Sequence, residues 1–182
     1  MLALIPFLIS IITTLFFQSI ITPTPLGDTG NVRYRTIPIM TILLILANSL
    51  IFMIFQAPNF YQGIELWIID DPQGMNMLDE YVRQIWVFGY RGIFMRDALG
   101  IGAISAFTSM FMHADMWHLI GNMIYLWTFG RRVEDACGSW RFLMFYLAAG
   151  MVAGIGSEVF NVNQVDIPSI GASGAIAGVM GA

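Results

Sequence analysis

Two apolar runs constrain this chain more than any other feature. Ile37–Phe55 and Phe142–Phe160 each cover nineteen residues, the first with no charge and the second with Glu158 alone. A helix needs about 20 mostly apolar residues to cross a hydrocarbon core of about 30 Å. In that medium every backbone N–H and C=O must be satisfied internally, so such runs become helices. Composition agrees. Of 182 residues, 57% are hydrophobic and 11% are charged, whereas soluble domains carry about 25% charged residues. The fold class expected is an all-α polytopic membrane protein, with the lipid bilayer as its solvent. Net charge is −4, and the eight basic residues are all arginines with no basic block among them. Nothing in that pattern points to nucleic acid. Cys137 is the single cysteine, which leaves no internal disulfide and no paired-cysteine metal site.

The chain divides by composition. Residues 1–22 form an extra N-terminal hydrophobic segment. It has neither the basic start nor the small-residue cleavage site of a signal peptide, so it reads as an uncleaved membrane segment. Residues 23–36 are a turn-rich linker ending in Arg33 and Arg35. Residues 37–182 form the membrane domain. Within it, 57–103 mixes six acids and three arginines with many aromatics; it reads as a long structured loop at the interface, where Trp and Tyr are favoured. A third span is expected over 104–129, then a charged connection at Arg131–Arg141, a span at 142–160 and a polar loop at 161–169. A last apolar run starts near Ile170 and stops at Ala182, short of spanning length. The domain is therefore expected to be incomplete at its C-terminus, with about four complete or partial core spans here. Arg33, Arg35, Arg131, Arg132 and Arg141 share one side, which the positive-inside rule makes cytoplasmic; loops 57–103 and 161–169 then face out.

Polar residues within a span are costly and mark function. Two sets stand out: His113, His118 and Asn122, and Ser173 in Gly-Ala-Ser-Gly at 171–174. His118 and Asn122 are four apart and share a helix face. His118 lies thirteen residues before Arg131, about 20 Å along a helix, so it sits shallowly below the outer surface. Ser173 enters from the outer loop at a similar depth. A serine hydroxyl needs a base to attack a carbonyl, and the oxyanion that forms needs preorganised donors. Asn122, His118 and the backbone beside Gly171 and Gly174 supply such donors. Blander readings stand beside these. Gly174-x3-Gly178 is a helix-contact pattern that would make Ser173 a packing residue. His118 and Asn122 would serve as an interhelical hydrogen-bond pair. His113, Asp115 and His118 have poor spacing for a metal, with the two histidines on different faces. Glu134 would be a solvated acid at a helix end.

The order His113-x4-His118-x3-Asn122, followed about fifty residues later by Gly-Ala-Ser-Gly at Ser173, resembles the rhomboid family of intramembrane serine proteases. Glu134 in Gly-Arg-Arg-Val-Glu looks like that family's structural acid, and Pro25–Arg35 is similar to the N-terminus of many bacterial members. The resemblance covers roughly residues 25–182. It implies a rhomboid-like helical bundle and a Ser–His dyad with Ser173 as nucleophile. His118 and Asn122 would support the oxyanion, with Gly171 and Gly174 beside the serine. His113 and Glu134 would be structural. Both histidines match non-base positions, so the base is expected outside these residues and this stretch alone is expected to be inactive. Two positions depart from the pattern: Ile104-Ser105, where many members carry Trp-Arg, and Ala177, where some carry an aromatic. The function implied is hydrolysis of transmembrane protein substrates near the outer face, with no cofactor or metal. The compartment implied is the bacterial cytoplasmic membrane. The alternative is a catalytically inactive rhomboid-like protein that binds membrane clients. A transporter with a midplane site is a further class, but no internal repeat appears here. Oligomeric state is not legible.

Overall fold

The computed structural model describes residues 35–93, 99–160 and 167–182. Segment 1–22 and nearly all of linker 23–36 lie outside the described residues. The remainder groups into one compact unit, Arg33–Ala182. Among the described residues all regular structure is helical, apart from one isolated antiparallel bridge between Tyr90 and Ser169.

The first helix is longer than its uncharged run. Helix α1 (Ile39–Ile51) passes through a π turn at Phe52–Gln56 into α2 (Ala57–Ile68), a continuous apolar stretch of 30 residues. The π turn has a local cause. Pro58 has no N–H to give Ile54, and its ring crowds that carbonyl; widening the preceding turn accommodates both. Asn48, fully buried in α1, turns its amide back onto the Leu44 carbonyl at 2.8 Å. The stripe Leu43, Leu46, Leu50, Met53 and Ile54 is exposed and suited to lipid.

The segment expected as an interfacial loop is largely a helical hairpin. Asp70 adopts a left-handed φ of 61° and ends α2. Asp71 then caps α3 (Pro72–Phe88) by accepting the Gln73 N–H at 2.9 Å, with Pro72 in the first turn, where its missing N–H costs nothing. The two helices touch through glycine. A Cβ on Gly74 would lie 2.4 Å from the Trp67 nitrogen, and one on Gly63 would lie 3.0 Å from Leu78 Cγ.

The third expected span is broken. Helix α4 (Leu99–Ser109) stops, residues 110–115 form a non-helical link, and α5 (Met116–Tyr125) starts afresh. A second π turn, Leu126–Gly130, carries α5 into α6 (Arg131–Cys137). Then come α7 (Ser139–Phe160) and the short α8 (Ser173–Met180). Hydropathy misses the break because Met110, Phe111 and Met112 are apolar. The cause is Asp115, whose carboxylate accepts the N–H groups of Trp117 and His118 at 2.8 and 2.9 Å and so nucleates a new helix. Among the described residues two helical stretches, Ile39–Ile68 and Ser139–Gly156, are long and apolar enough to cross a membrane; His118, Asn122 and Ser173 lie on shorter helices and His113 in the link.

The core forms where α1, α5, α7 and α8 meet, around Leu44, Leu126, Phe142, Tyr146, Ala172, Ala175, Ile176 and Val179. Small residues set the α7–α8 distance. A Cβ on Gly174 would lie 2.6 Å from that of Ala153, and one on Gly178 would lie 2.5 Å from that of Ala149. This is the close approach that drives helix association when lipid removes the hydrophobic incentive.

The arginine-rich end is tied by carboxylates. Glu134 is fully buried. Its oxygens accept the N–H groups of Met40 and Thr41 at 2.9 and 2.8 Å, the Thr41 hydroxyl at 2.8 Å and the Ser139 hydroxyl at 2.6 Å. The first N–H groups of a helix have no internal partner, and Pro38 gives α1 no side-chain cap. Glu134 supplies one from 93 residues away. Asp135 does the same one step earlier, accepting the N–H groups of Arg35 and Thr36, each at 2.8 Å. Burial pushes the Glu134 carboxyl up, but its four donors outweigh that and hold it below its ordinary 4.5. Desolvation likewise opposes the Thr36 and Arg35 contacts that lower Asp135.

A depressed folded value means that each group stabilises fully above its unfolded value and loses that contribution as the pH falls through its folded one. Glu134→Ala strands several buried donors and is expected to cost about 3 kcal/mol, a drop of roughly 6–12 °C in unfolding midpoint. Thermal unfolding from pH 7 to pH 3 checks both points. The wild-type midpoint should fall below pH 4.5, and the variant's should fall less.

Candidate active site

The end of the bundle opposite the arginines is built around the link 110–115. Gln56 holds His113 on both edges: its Nε2 donates to the His113 carbonyl at 2.8 Å, and its Oε1 accepts the His113 N–H at 3.0 Å. The Tyr81 hydroxyl, on the buried face of α3, donates to the Ala114 carbonyl. Asp115 caps α5. Three consecutive residues are thus fixed, His113 by Gln56 of the π turn, Ala114 by Tyr81 of the hairpin, and Asp115 by the backbone N–H groups it caps. The sequence reading missed Gln56 and Tyr81 in this role. Their only signal is a polar residue closing an apolar run and a tyrosine on the apolar face of an amphipathic helix. Asp115, weighed above as a ligand, is the cap of α5.

His118 and Asn122 occupy successive turns of α5, as their spacing predicts. Asn122 is buried and donates through Nδ2 to the His118 carbonyl at 3.0 Å, leaving the second amide hydrogen for another acceptor. His118 Nδ1 accepts the Ala114 N–H over a long 3.4 Å. A neutral imidazole whose Nδ1 accepts carries its proton on Nε2. His113 is fully buried behind it, the two rings meeting edge to face at 5.3 Å. Neither nitrogen of the His113 ring has a hydrogen-bond partner of good geometry. The ring is enclosed by protein on all sides.

The serine loop folds onto this ridge. Gly171 has a φ of +116°, and a Cβ there would lie 2.8 Å from His118 Cε1, 3.0 Å from its Nε2 and 3.8 Å from Asn122 Nδ2. Only glycine combines that backbone with that proximity. The Gly171 N–H donates to the Ser109 carbonyl at 2.9 Å, and Ser169 pairs with Tyr90 through bonds of 2.9 and 2.7 Å. Ser173 follows as the first residue of α8. Ala172, Ala175, Ile176 and Val179 point into the core while Ser173 and Ala177 stay exposed on one face. The Ser173 hydroxyl has no hydrogen-bond partner among the described residues, and the first N–H groups of α8 have no side-chain cap. Gly174 is used differently from Gly171, for contact with α7. Glu134 sits at the other end of α5–α6, where it accepts from the start of α1. The link, the ridge and the serine loop bring Gly171, two residues before the exposed Ser173, against His118 and Asn122.

Residues 102–182 match the family model of the Rhomboid domain. Over that stretch the chain belongs to the rhomboid family. Rhomboid protease GluP of Bacillus subtilis (strain 168) is 47% identical over 75 residues, which is 41% of this chain and 14% of that protein. Rhomboid protein 1, mitochondrial, of Saccharomyces cerevisiae is 31% identical over 99 residues, 53% of this chain and 29% of the relative. The Presenilin-associated rhomboid-like protein, mitochondrial, of Rattus norvegicus is 25% identical over 140 residues, 76% of this chain and 30% of the relative. The chain therefore spans less than a third of the length of these relatives. No solved structure matches it. The helices described above belong to an integral membrane bundle of rhomboid type.

Two glycines on opposite sides of this ridge make a controlled test. Gly171→Ala forces a left-handed backbone and a clash with His118, and is expected to cost about 1–3 kcal/mol. Gly121→Ala, in mid-helix with nothing within 4 Å of the added Cβ, should be neutral or stabilise by about 0.5–1 kcal/mol. Thermal unfolding of both variants in detergent decides; equal midpoints would refute the close approach at Gly171.

Proposed function

We propose that the complete protein is an intramembrane serine endopeptidase that cuts transmembrane substrates near the outer membrane face. The observation that carries the reading is the approach of the Gly171 loop to His118 and Asn122, two residues before Ser173. The Ser173 oxygen attacks the scissile carbonyl carbon, and its proton passes to a base. The carbonyl oxygen becomes an oxyanion facing His118 Nε2–H, the free Asn122 amide hydrogen and the uncapped N–H groups at the start of α8. Collapse of that adduct expels the amine, which takes the proton from the base, and leaves an acyl-enzyme for water to hydrolyse. This reading takes the base from a histidine other than His113 and His118. His113 is buried as packing, and His118 is turned to donate. The base approaches on the face of α8 that Ser173 shares with Ala177, which the described residues leave uncovered. We place the protein in a bacterial cytoplasmic membrane with the arginine end inward; reporter fusions at the Arg35 end test that, and an outward reporter signal would reverse it.

A second reading, a rhomboid-like protein that binds membrane clients without cutting, draws on one observation: no described histidine is disposed as a base for Ser173. Substitution separates the two. In the full-length protein Ser173→Ala should abolish cleavage of a transmembrane reporter at unchanged expression; no difference from wild type removes Ser173 as nucleophile. Asn122→Ala should lower kcat by about tenfold or more if its amide meets the oxyanion. An unchanged kcat makes it a helix-surface residue only.

A further inference from the structure

One peptide unit in the 110–115 link is held at both ends. The carbonyl of the His113–Ala114 peptide accepts from Gln56 Nε2 at 2.8 Å, and its N–H donates to His118 Nδ1 at 3.4 Å. Gln56 itself is fully buried, at the end of the π turn between α1 and α2. Its Oε1 takes the His113 N–H at 3.0 Å, so the carboxamide pairs with His113 as a neighbouring strand would. The next carbonyl along, Ala114's, is held by the Tyr81 hydroxyl. The orientation of the Ala114 N–H is thus set by groups on the π turn and on α3 that come nowhere into the serine loop.

That N–H matters because of where it points. A hydrogen bond accepted at a peptide carbonyl polarises the same peptide's N–H and strengthens the bond it donates. Which nitrogen of a neutral histidine carries the proton is decided by the partner of the other nitrogen. Here the partner of Nδ1 is a donor, so Nε2 is the protonated atom, and the Cε1–Nε2 edge of the ring is the one lying against Gly171. We propose that Gln56 is a positioning residue for the oxyanion arm: by holding the His113–Ala114 peptide, it presents the Ala114 N–H to His118 Nδ1 and keeps the His118 proton on Nε2, facing the serine loop. A residue that merely filled the space would do neither. Met at this position would leave a buried N–H and C=O unpaired, and Glu would set an acceptor against the His113 carbonyl.

The kinetic consequence rests on the protease reading above; the tautomer does not. In the full-length protein Gln56→Met should lower kcat by about tenfold or more with KM within about twofold, the pattern of an interaction made only in the transition state. In a His118→Ala background the same change should cost nothing further, because two residues acting through one group are not additive. Full additivity, or an unchanged kcat in the single variant, overturns the proposal. Gln56→Glu keeps the shape and serves if the Met variant does not fold. The 15N shifts of His118, measured in detergent on the inactive Ser173→Ala protein, give a readout free of catalysis. Wild-type Gln56 should show the Nε2–H form, and Gln56→Glu should show that form lost or mixed. An identical tautomer in both sinks the inference even if the enzyme proves active. A changed tautomer in a protein that cuts nothing upholds it and sinks only the protease reading.

Discussion

The contact on which the rest of the bundle depends is the Glu134 carboxylate at the start of α1. It gathers two backbone N–H groups and two hydroxyls from α1 and α7 into one buried acceptor. Without it the first helix begins at a proline with no side-chain cap, and the N–H of the buried Thr41 loses its partner, which is expensive. With it, the register of α1 against α5–α6 is fixed to within a hydrogen bond. Gly130 confirms how tight that register is, since a Cβ there would lie 3.1 Å from Thr41 Oγ1 and 3.2 Å from Phe142 Cζ. Everything that α1 carries further along, Gln56 included, is placed by this anchorage.

The same rule governs the other end. Non-helical backbone at membrane depth survives only when buried in protein or beside water, with its polar groups paired. The 110–115 link meets that condition by borrowing side chains. Gln56 serves His113, Tyr81 serves Ala114, Asp115 serves the new helix, and the Ser109 carbonyl takes Gly171. The hairpin of α2 and α3 therefore does more than sit at the interface. Its buried face is one wall of the candidate site, and the chain just beyond α3 joins the serine loop through Tyr90 and Ser169.

How much of this was legible follows from which signals are local. The apolar run at 37–55 places α1, and the run at 142–160 places α7, because lipid demands length and little else. The candidates His118, Asn122 and Ser173 stood out because they are polar where a span should be apolar, and i, i+4 spacing put the first two on one face. The Gly171 conformation, the break after Ser109 and the hairpin were not. Each depends on a partner distant in sequence. Gln56 lies 57 residues from His113 and Tyr81 lies 33 from Ala114, and no periodicity in the window around either reveals the pairing. The π turns were invisible for a different reason, because hydropathy is blind to one inserted residue per turn. Glu134 shows the limit from the other side. At the end of a helix behind two arginines it looks solvated, and only the arrival of α1 makes it a buried cap.

The start of α8 at Ser173 has a logic of its own. A serine in the middle of a long helix would have its backbone N–H committed to the carbonyl four residues back, and its surroundings would be lipid. At the first position of α8 that N–H is uncommitted, the helix dipole favours negative charge, and the preceding glycine turn reaches the His118–Asn122 ridge. The small residues at 174 and 178 then let α8 sit close enough to α7 to hold that start in place. Ser173 and Ala177 are left on the open face, where a second group must come if the hydroxyl is to lose its proton. The geometry thus divides the labour. On the protease reading, the described helices hold the donors for a developing negative charge, and the proton acceptor approaches across the side of α8 that the described residues leave uncovered.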